Sequence, residues 1–111
     1  MTTDKTKKIA ELNDLCRKAM GIAGRLLISD GIADLPEEDQ SVIREKVETF
    51  DAFNEGNNPH GERDFGKIEH NFETILWKID YYDKSMTGGS PDPSDPKVTT
   101  RVLTIMLKWE Y

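Results

Sequence analysis

Between Phe72 and Asp83 the side chains follow a two-residue rhythm: Ile75, Trp77, Ile79 and Tyr81 fall on one face, as a half-buried β-strand requires. The other face carries Thr74, Lys78 and Asp80, with Leu76 and Tyr82 mixed in, so it is half wet. An element with one apolar face must bury it, and no other stretch offers as much aromatic and β-branched surface at this period. It is the expected central strand.

The rest of the chain arranges around it. Residues 4–20 read as an amphipathic helix, with Ile9, Leu12, Leu15, Cys16, Ala19 and Met20 inward and Lys8, Glu11, Asp14, Arg17 and Lys18 outward, ended by Gly21 and Gly24. Arg25-Leu-Leu-Ile-Ser29 is a short apolar run expected as a strand buried on both faces, closed by a turn at Asp30-Gly31. A second helix enters at Leu35-Pro36, with Glu37, Glu38 and Asp39 at the positive end of its dipole. Val42, Ile43, Val47, Phe50 and Phe53 supply its buried stripe, while Glu38, Glu45, Glu48 and Asp51 line its solvent side.

Residues 54–64 hold three asparagines, two glycines and a proline, a loop by composition. Phe65 to His70 then leads through Asn71 into the central strand as a β-hairpin whose register the sequence leaves open. Ser85 to Pro96 is a second loop, broken by Gly88-Gly89 and three prolines. From Lys97 to Tyr111 the polar residues Lys97, Arg101, Thr104 and Lys108 fall three or four apart, and strict alternation fails at Leu103, Ile105, Met106 and Leu107. The spacing predicts a helix, capped by Asp95 with Pro96 in its first position. The expected order is α-β-α-β-β-α, an α+β domain with a small, mainly antiparallel sheet packed against helices.

Composition narrows the function. A chain of 111 residues, 36% hydrophobic and 32% charged, fits one globular domain over residues 1–111. No window approaches a membrane span and the start lacks a secretory pattern, so a cytoplasmic location is the expectation. The single cysteine, Cys16, sits on the apolar helix stripe and reads as a small buried hydrophobe. The net charge of −6 is uneven: residues 1–29 carry six Lys/Arg against three Asp/Glu, and residues 30–55 two against nine. Acidity concentrated on one helix disfavours direct nucleic-acid binding and points to a basic protein partner, such as a nucleic-acid-binding host complex.

Chemistry has few candidates. The loop from Asn57 to Asp64 places an imidazole, His60, near two carboxylates, Glu62 and Asp64, groups that bind divalent metals or share acid and base roles. Their spacing matches no metal signature, so no metal or cofactor is assigned. Asp80 and Asp83 end the central strand, where Asp80 joins the catalytic candidates and Arg101 is expected to bridge one of the two aspartates. No serine lies in a nucleophile elbow, and Gly21-Ile-Ala-Gly24 lacks the lysine of a phosphate loop.

The stretches His60-Gly-Glu-Arg-Asp-Phe-Gly66, Trp77-Lys-Ile-Asp-Tyr-Tyr-Asp83, and Ser90-Pro-Asp-Pro-Ser-Asp-Pro96 followed by Thr100-Arg-Val-Leu-Thr-Ile-Met106 resemble a family of small bacterial proteins of unknown function, often carried on plasmids and other mobile elements. The likeness covers most of the chain from about Leu12 onward, and the combination is specific. The position of Arg63 is often histidine in relatives, so this chain departs from any pattern needing a second imidazole there. The resemblance implies a setting of mobile DNA and names no activity.

Three expectations follow. The first is a non-enzymatic interaction protein of a mobile element, an inhibitor of a host defence complex of the anti-CRISPR or anti-restriction type, docking through Glu37, Glu38, Glu45, Glu48 and Asp51. The second is a small metal-dependent hydrolase or nuclease built on His60, Glu62, Asp64 and Asp80. The third is an accessory homodimer that associates through Trp109 and Tyr111.

Overall fold

The computed structural model describes residues 3–111. Helix α1 runs Asp4–Lys18, strand β1 Arg25–Ile28, helix α2 Asp30–Ala33, helix α3 Glu37–Glu48, and strands β2 Phe65–His70, β3 Glu73–Tyr82 and β4 Thr100–Leu107; a 3₁₀ turn at Lys108–Glu110 ends the chain. The four strands form one sheet in the order β1-β4-β3-β2. Both pairs involving β3 are antiparallel and β1 lies parallel to β4, so the sheet is mixed but mainly antiparallel. The α+β architecture expected from the sequence is the one observed.

The alternation in β3 sets the layering. Ile75, Trp77 and Ile79 are buried, and they meet Ile68 of β2 and Leu103, Ile105 and Leu107 of β4 on the same face. Cys16 of α1, Ile32 of α2, and Ile43 and Val47 of α3 close the core from the helical side. Lys78, Asp80 and Tyr82 lie on the opposite face, with Leu27, Val102, Thr104 and Met106 around a shallow groove of about 270 Å³. The β2–β3 register follows from the tight turn: His70 pairs with Glu73, and Asn71 and Phe72 take φ of 49° and 64°. Left-handed residues at both turn positions match the twist of the strands they join.

The C-terminal run is a strand, not the predicted helix. In β4 Arg101, Val102, Leu103, Ile105, Met106 and Leu107 are all buried. A strand with neighbours on both edges and cover on both faces has no wet face to display alternation. After Thr100 its polar residues, Arg101 and Thr104, fall three apart by coincidence with helical spacing. Because β4 takes the interior place, β1 becomes an edge strand with mostly exposed residues rather than one buried on both faces.

Other expectations shift locally. Asp30-Gly31 opens α2 instead of forming a turn, since the Ser29 hydroxyl accepts a hydrogen bond from the Ile32 N–H and caps a helical turn. In α1 Leu15 is exposed and Arg17, expected outside, is 1% exposed. Helix α3 stops at Glu48; Phe50 and Phe53 follow in the connecting chain and reach the core from there, while Val42 is exposed.

Candidate functional site

The 54–64 loop folds on its own asparagines. The Asn54 side chain accepts hydrogen bonds from the N–H groups of Gly56 and Asn57, the Asn57 side chain accepts one from Asn54 N–H, and that of Asn58 accepts one from Arg63 N–H. Short amides that satisfy nearby backbone explain why so polar a segment holds one shape. Arg63 takes φ of 57°, and the loop delivers Glu62 to the end of β3 nearest α1.

There it joins a polar network inside the protein. Asn13, fully buried on α1, donates from its amide to the Tyr81 hydroxyl at 2.7 Å and to the Glu62 backbone carbonyl at 3.0 Å. Its amide oxygen accepts from Arg101 Nε at 2.7 Å, and the Tyr81 hydroxyl donates to Glu62 Oε1 at 2.7 Å. Arg101 also donates to the Pro93 carbonyl, tying in the second loop, and its guanidinium lies over the Tyr81 ring at 5.2 Å. The chain of bonds therefore runs from a cation through an amide and a phenol to a carboxylate, each link polarising the next. Arg101 bridges neither Asp80 nor Asp83: the first pairs with Lys78 at 2.9 Å across the sheet's other face, and the second accepts from Ser85 and Thr87 in its own loop.

One turn along α1, Arg17 donates to the carbonyls of Val47 and Phe50 at 2.9 and 2.8 Å and to Asp14 at 2.6 Å. Its guanidinium sits 4.9 Å from the centre of the Trp77 ring. Arg63 reaches the other oxygen of Asp14 at 2.7 Å and covers the Phe53 ring at 4.5 Å. Cations stacked on aromatic faces and bonded to carbonyls are the arrangement in which arginine tolerates burial.

The electrostatics match this packing. Burial and the bond to Glu62 push the Tyr81 hydroxyl well above its ordinary value, so it stays a donor at neutral pH. Burial also raises the Asp64 carboxyl, with Glu62 adding to the effect and His60 opposing it. The Cys16 thiol is raised chiefly by burial, partly offset by Arg101 and Arg17, consistent with the inert hydrophobe expected from its position.

The catalytic candidates lie around Asp64, which feels the charges of Glu62, His60 and Asp80, but their side chains are engaged separately. His60 is exposed and lines an open depression with Phe53, Asn54, Glu55, Asn58 and Pro59; Glu62 is held by Tyr81; Asp80 belongs to the opposite face. Among the described residues no three His, Cys, Asp or Glu side chains come together as a metal-ligand group. The residues that do converge are Asn13, Tyr81, Arg101 and Glu62, and of these the sequence marks neither Asn13 nor Tyr81 as a site candidate. Asn13 had a readable signal: it falls four after Ile9 and three before Cys16, a polar residue on an apolar stripe.

The docking candidates lie together. Glu37, Glu38, Glu45 and Asp51 are exposed and Glu48 is half-exposed; all but Asp51 belong to α3, and Asp51 follows it in open chain. Ile43 and Val47 point α3 into the core, which turns Glu38, Glu45 and Glu48 outward at helical spacing. Among the described residues none of these five carboxylates has an ion-pair partner, although Asp39 on the same helix binds His70 at 2.8 Å. Trp109 and Tyr111 are also exposed. No described helix is long and apolar enough to cross a membrane.

No curated protein and no solved structure matches this chain. A family model described as a protein of unknown function, DUF3768, matches residues 28–110, from the end of β1 through the 3₁₀ turn. The match spans well over half of the sequence, and the chain belongs to the DUF3768 family of proteins of unknown function.

Proposed function

We propose that this is a non-enzymatic interaction protein that docks a basic protein partner on the outer face of α3. The observation that carries it is the row of carboxylates at Glu37, Glu38, Glu45 and half-exposed Glu48, continued by Asp51, none with an ion-pair partner among the described residues. Unneutralised charge of one sign raises the rate of encounter with a complementary surface and disfavours like-charged competitors. The motif loop supports the same reading from the other side, because its Glu62 and the residues around it are engaged in holding α1 to the sheet.

The partner is a lysine- and arginine-rich protein of the kind that handles nucleic acid. The resemblance to bacterial proteins carried on plasmids and mobile elements makes a host defence complex the first partner to test, with this protein as an anti-CRISPR or anti-restriction type of inhibitor that blocks a basic surface. The experiment compares wild type with the Glu38→Lys, Glu45→Lys, Glu48→Lys triple variant as baits in host lysate, then titrates the purified partner across a salt series. Binding that weakens with salt and is lost in the triple variant supports the proposal. Equal binding by both proteins refutes it.

A further inference from the structure

Strand β1 has one free edge. The Ser29 N–H donates to the Ile105 carbonyl, which fixes the parity of the β1–β4 ladder: Arg25, Leu27 and Ser29 turn their backbone groups toward β4. Leu26 and Ile28 turn theirs away. No backbone or side-chain partner for those outward groups exists among the described residues. The side chains add apolar surface, with Leu27 55% and Ile28 37% exposed. The strand is short and opens on an exposed arginine, but it carries no proline, bulge or inward-pointing charge to block pairing along Leu26-Leu27-Ile28.

We infer that the occupant of this edge is a second copy of the chain, its β1 running antiparallel to the first about a two-fold axis at Leu27. Three features of the strand select that partner. Placing Leu27 opposite Leu27 of the second copy sets Leu26 against Ile28 and Ile28 against Leu26. The only residues with outward N–H and C=O groups therefore meet as two hydrogen-bonded pairs. The same register keeps side chains on matching faces, so Leu27 meets its own counterpart at the closest kind of pair and Leu26 packs on Ile28. Charge also agrees: Arg25 opens β1, Asp30 opens α2 just past the strand's other end, and both are exposed with no ion-pair partner within the described chain. Antiparallel pairing sets Arg25 of each copy opposite Ser29 of the other, next to Asp30, an arrangement that a parallel or slipped pairing loses.

The result is one eight-stranded sheet across an isologous interface. This reading is independent of the α3 surface.

The test is sedimentation velocity of the purified protein over a micromolar concentration series, with circular dichroism to verify each fold. Wild type is expected to sediment as a dimer. Leu27→Lys, at a half-exposed site, opposes two ammonium groups on the axis and is expected to give a monomer with unchanged secondary structure. Arg25→Asp sets like charges together at both ends and is expected to weaken the dimer about tenfold, and Arg25→Asp/Asp30→Arg to restore it. A wild type that stays monomeric overturns the inference. So does a dimer that survives both Leu27→Lys and Arg25→Asp, since it would use another surface.

Discussion

Alanine at position 66 tests the packing on which the whole core rests. Gly66 pairs with Trp77 across β2 and β3, and a methyl group there would lie 2.3 Å from the indole nitrogen Nε1, 2.6 Å from Cε2 and 2.8 Å from Cζ2. The indole has nowhere to go: it is 0% exposed, Phe50 and Phe53 meet it edge-on at 5.5 and 6.1 Å, and the Arg17 guanidinium sits above it. Overpacking of this kind costs about 3 kcal/mol, and loss of glycine freedom in the unfolded chain returns ~0.7 kcal/mol, leaving ~2 kcal/mol of destabilisation. At ~2.1 cal/mol/K per residue the unfolding entropy of a 111-residue chain is ~0.23 kcal/mol/K, so Tm should fall by about 9 °C. Calorimetry of Gly66→Ala against Gly88→Ala, whose methyl would come no nearer than 3.7 Å to Asp83, measures it; the control should stay within ~0.5 kcal/mol of wild type. In a Trp77→Leu background the Gly66 change should cost much less, because the clashing atoms are gone. A Gly66→Ala protein melting within about 2 °C of wild type, or an equal cost in both backgrounds, refutes the reasoning.

Two further perturbations address the polar network. Arg17→Met keeps volume but strands the carbonyls of Val47 and Phe50 and one oxygen of Asp14; urea denaturation should show a loss of about 3 kcal/mol, and a variant as stable as wild type would mean that those bonds contribute nothing net. Tyr81 binds its proton more tightly folded than unfolded, so the stability it confers is complete below the ordinary tyrosine value of 10.0 and is lost as pH rises beyond it. Thermal scans from pH 8 to 11 should show a steeper alkaline decline in wild type than in Tyr81→Phe, and parallel declines would refute the assignment.

The legible parts of the fold are those whose physics is local. The period of β3 reports its burial because one face is dry and one is half wet, and the entry of α3 reports itself through Pro36 and three acids. The C-terminal strand hid because burial on both faces erases the alternation by which strands are recognised, leaving only its β-branched content as a clue. The expectation for β1 depends on the same residues: with β4 read as a helix, β1 takes an interior place that β4 in fact occupies. Arg17 was invisible for a different reason. A charged side chain reads as solvent-facing, and the carbonyls that let it sit inside are thirty and more residues away in sequence.

The candidate site divides along the same line. Buried polar groups are costly unless bonded, and Asn13, Arg101, Tyr81 and Glu62 satisfy one another across α1, two loops and two strands. All three motif stretches feed this network, through Glu62, through Tyr81, and through Arg101 with the Pro93 carbonyl, so a change in any of them loosens the seat of α1 before it touches a binding surface. Loss of binding in such a variant is therefore a report on folding unless its melting temperature is unchanged. Glu37, Glu38, Glu45 and Glu48 of α3 obey the opposite logic: with no ion-pair partner among the described residues, they can be reversed with little effect on the fold, and a binding defect there bears on recognition itself. Glu45→Lys and Tyr81→Phe compared in one assay make the division measurable. The first should weaken partner binding at constant Tm, and the second should lower Tm while binding by the remaining folded protein is retained. A Tyr81→Phe protein that melts like wild type yet fails to bind would move the functional surface from α3 to the motif loop.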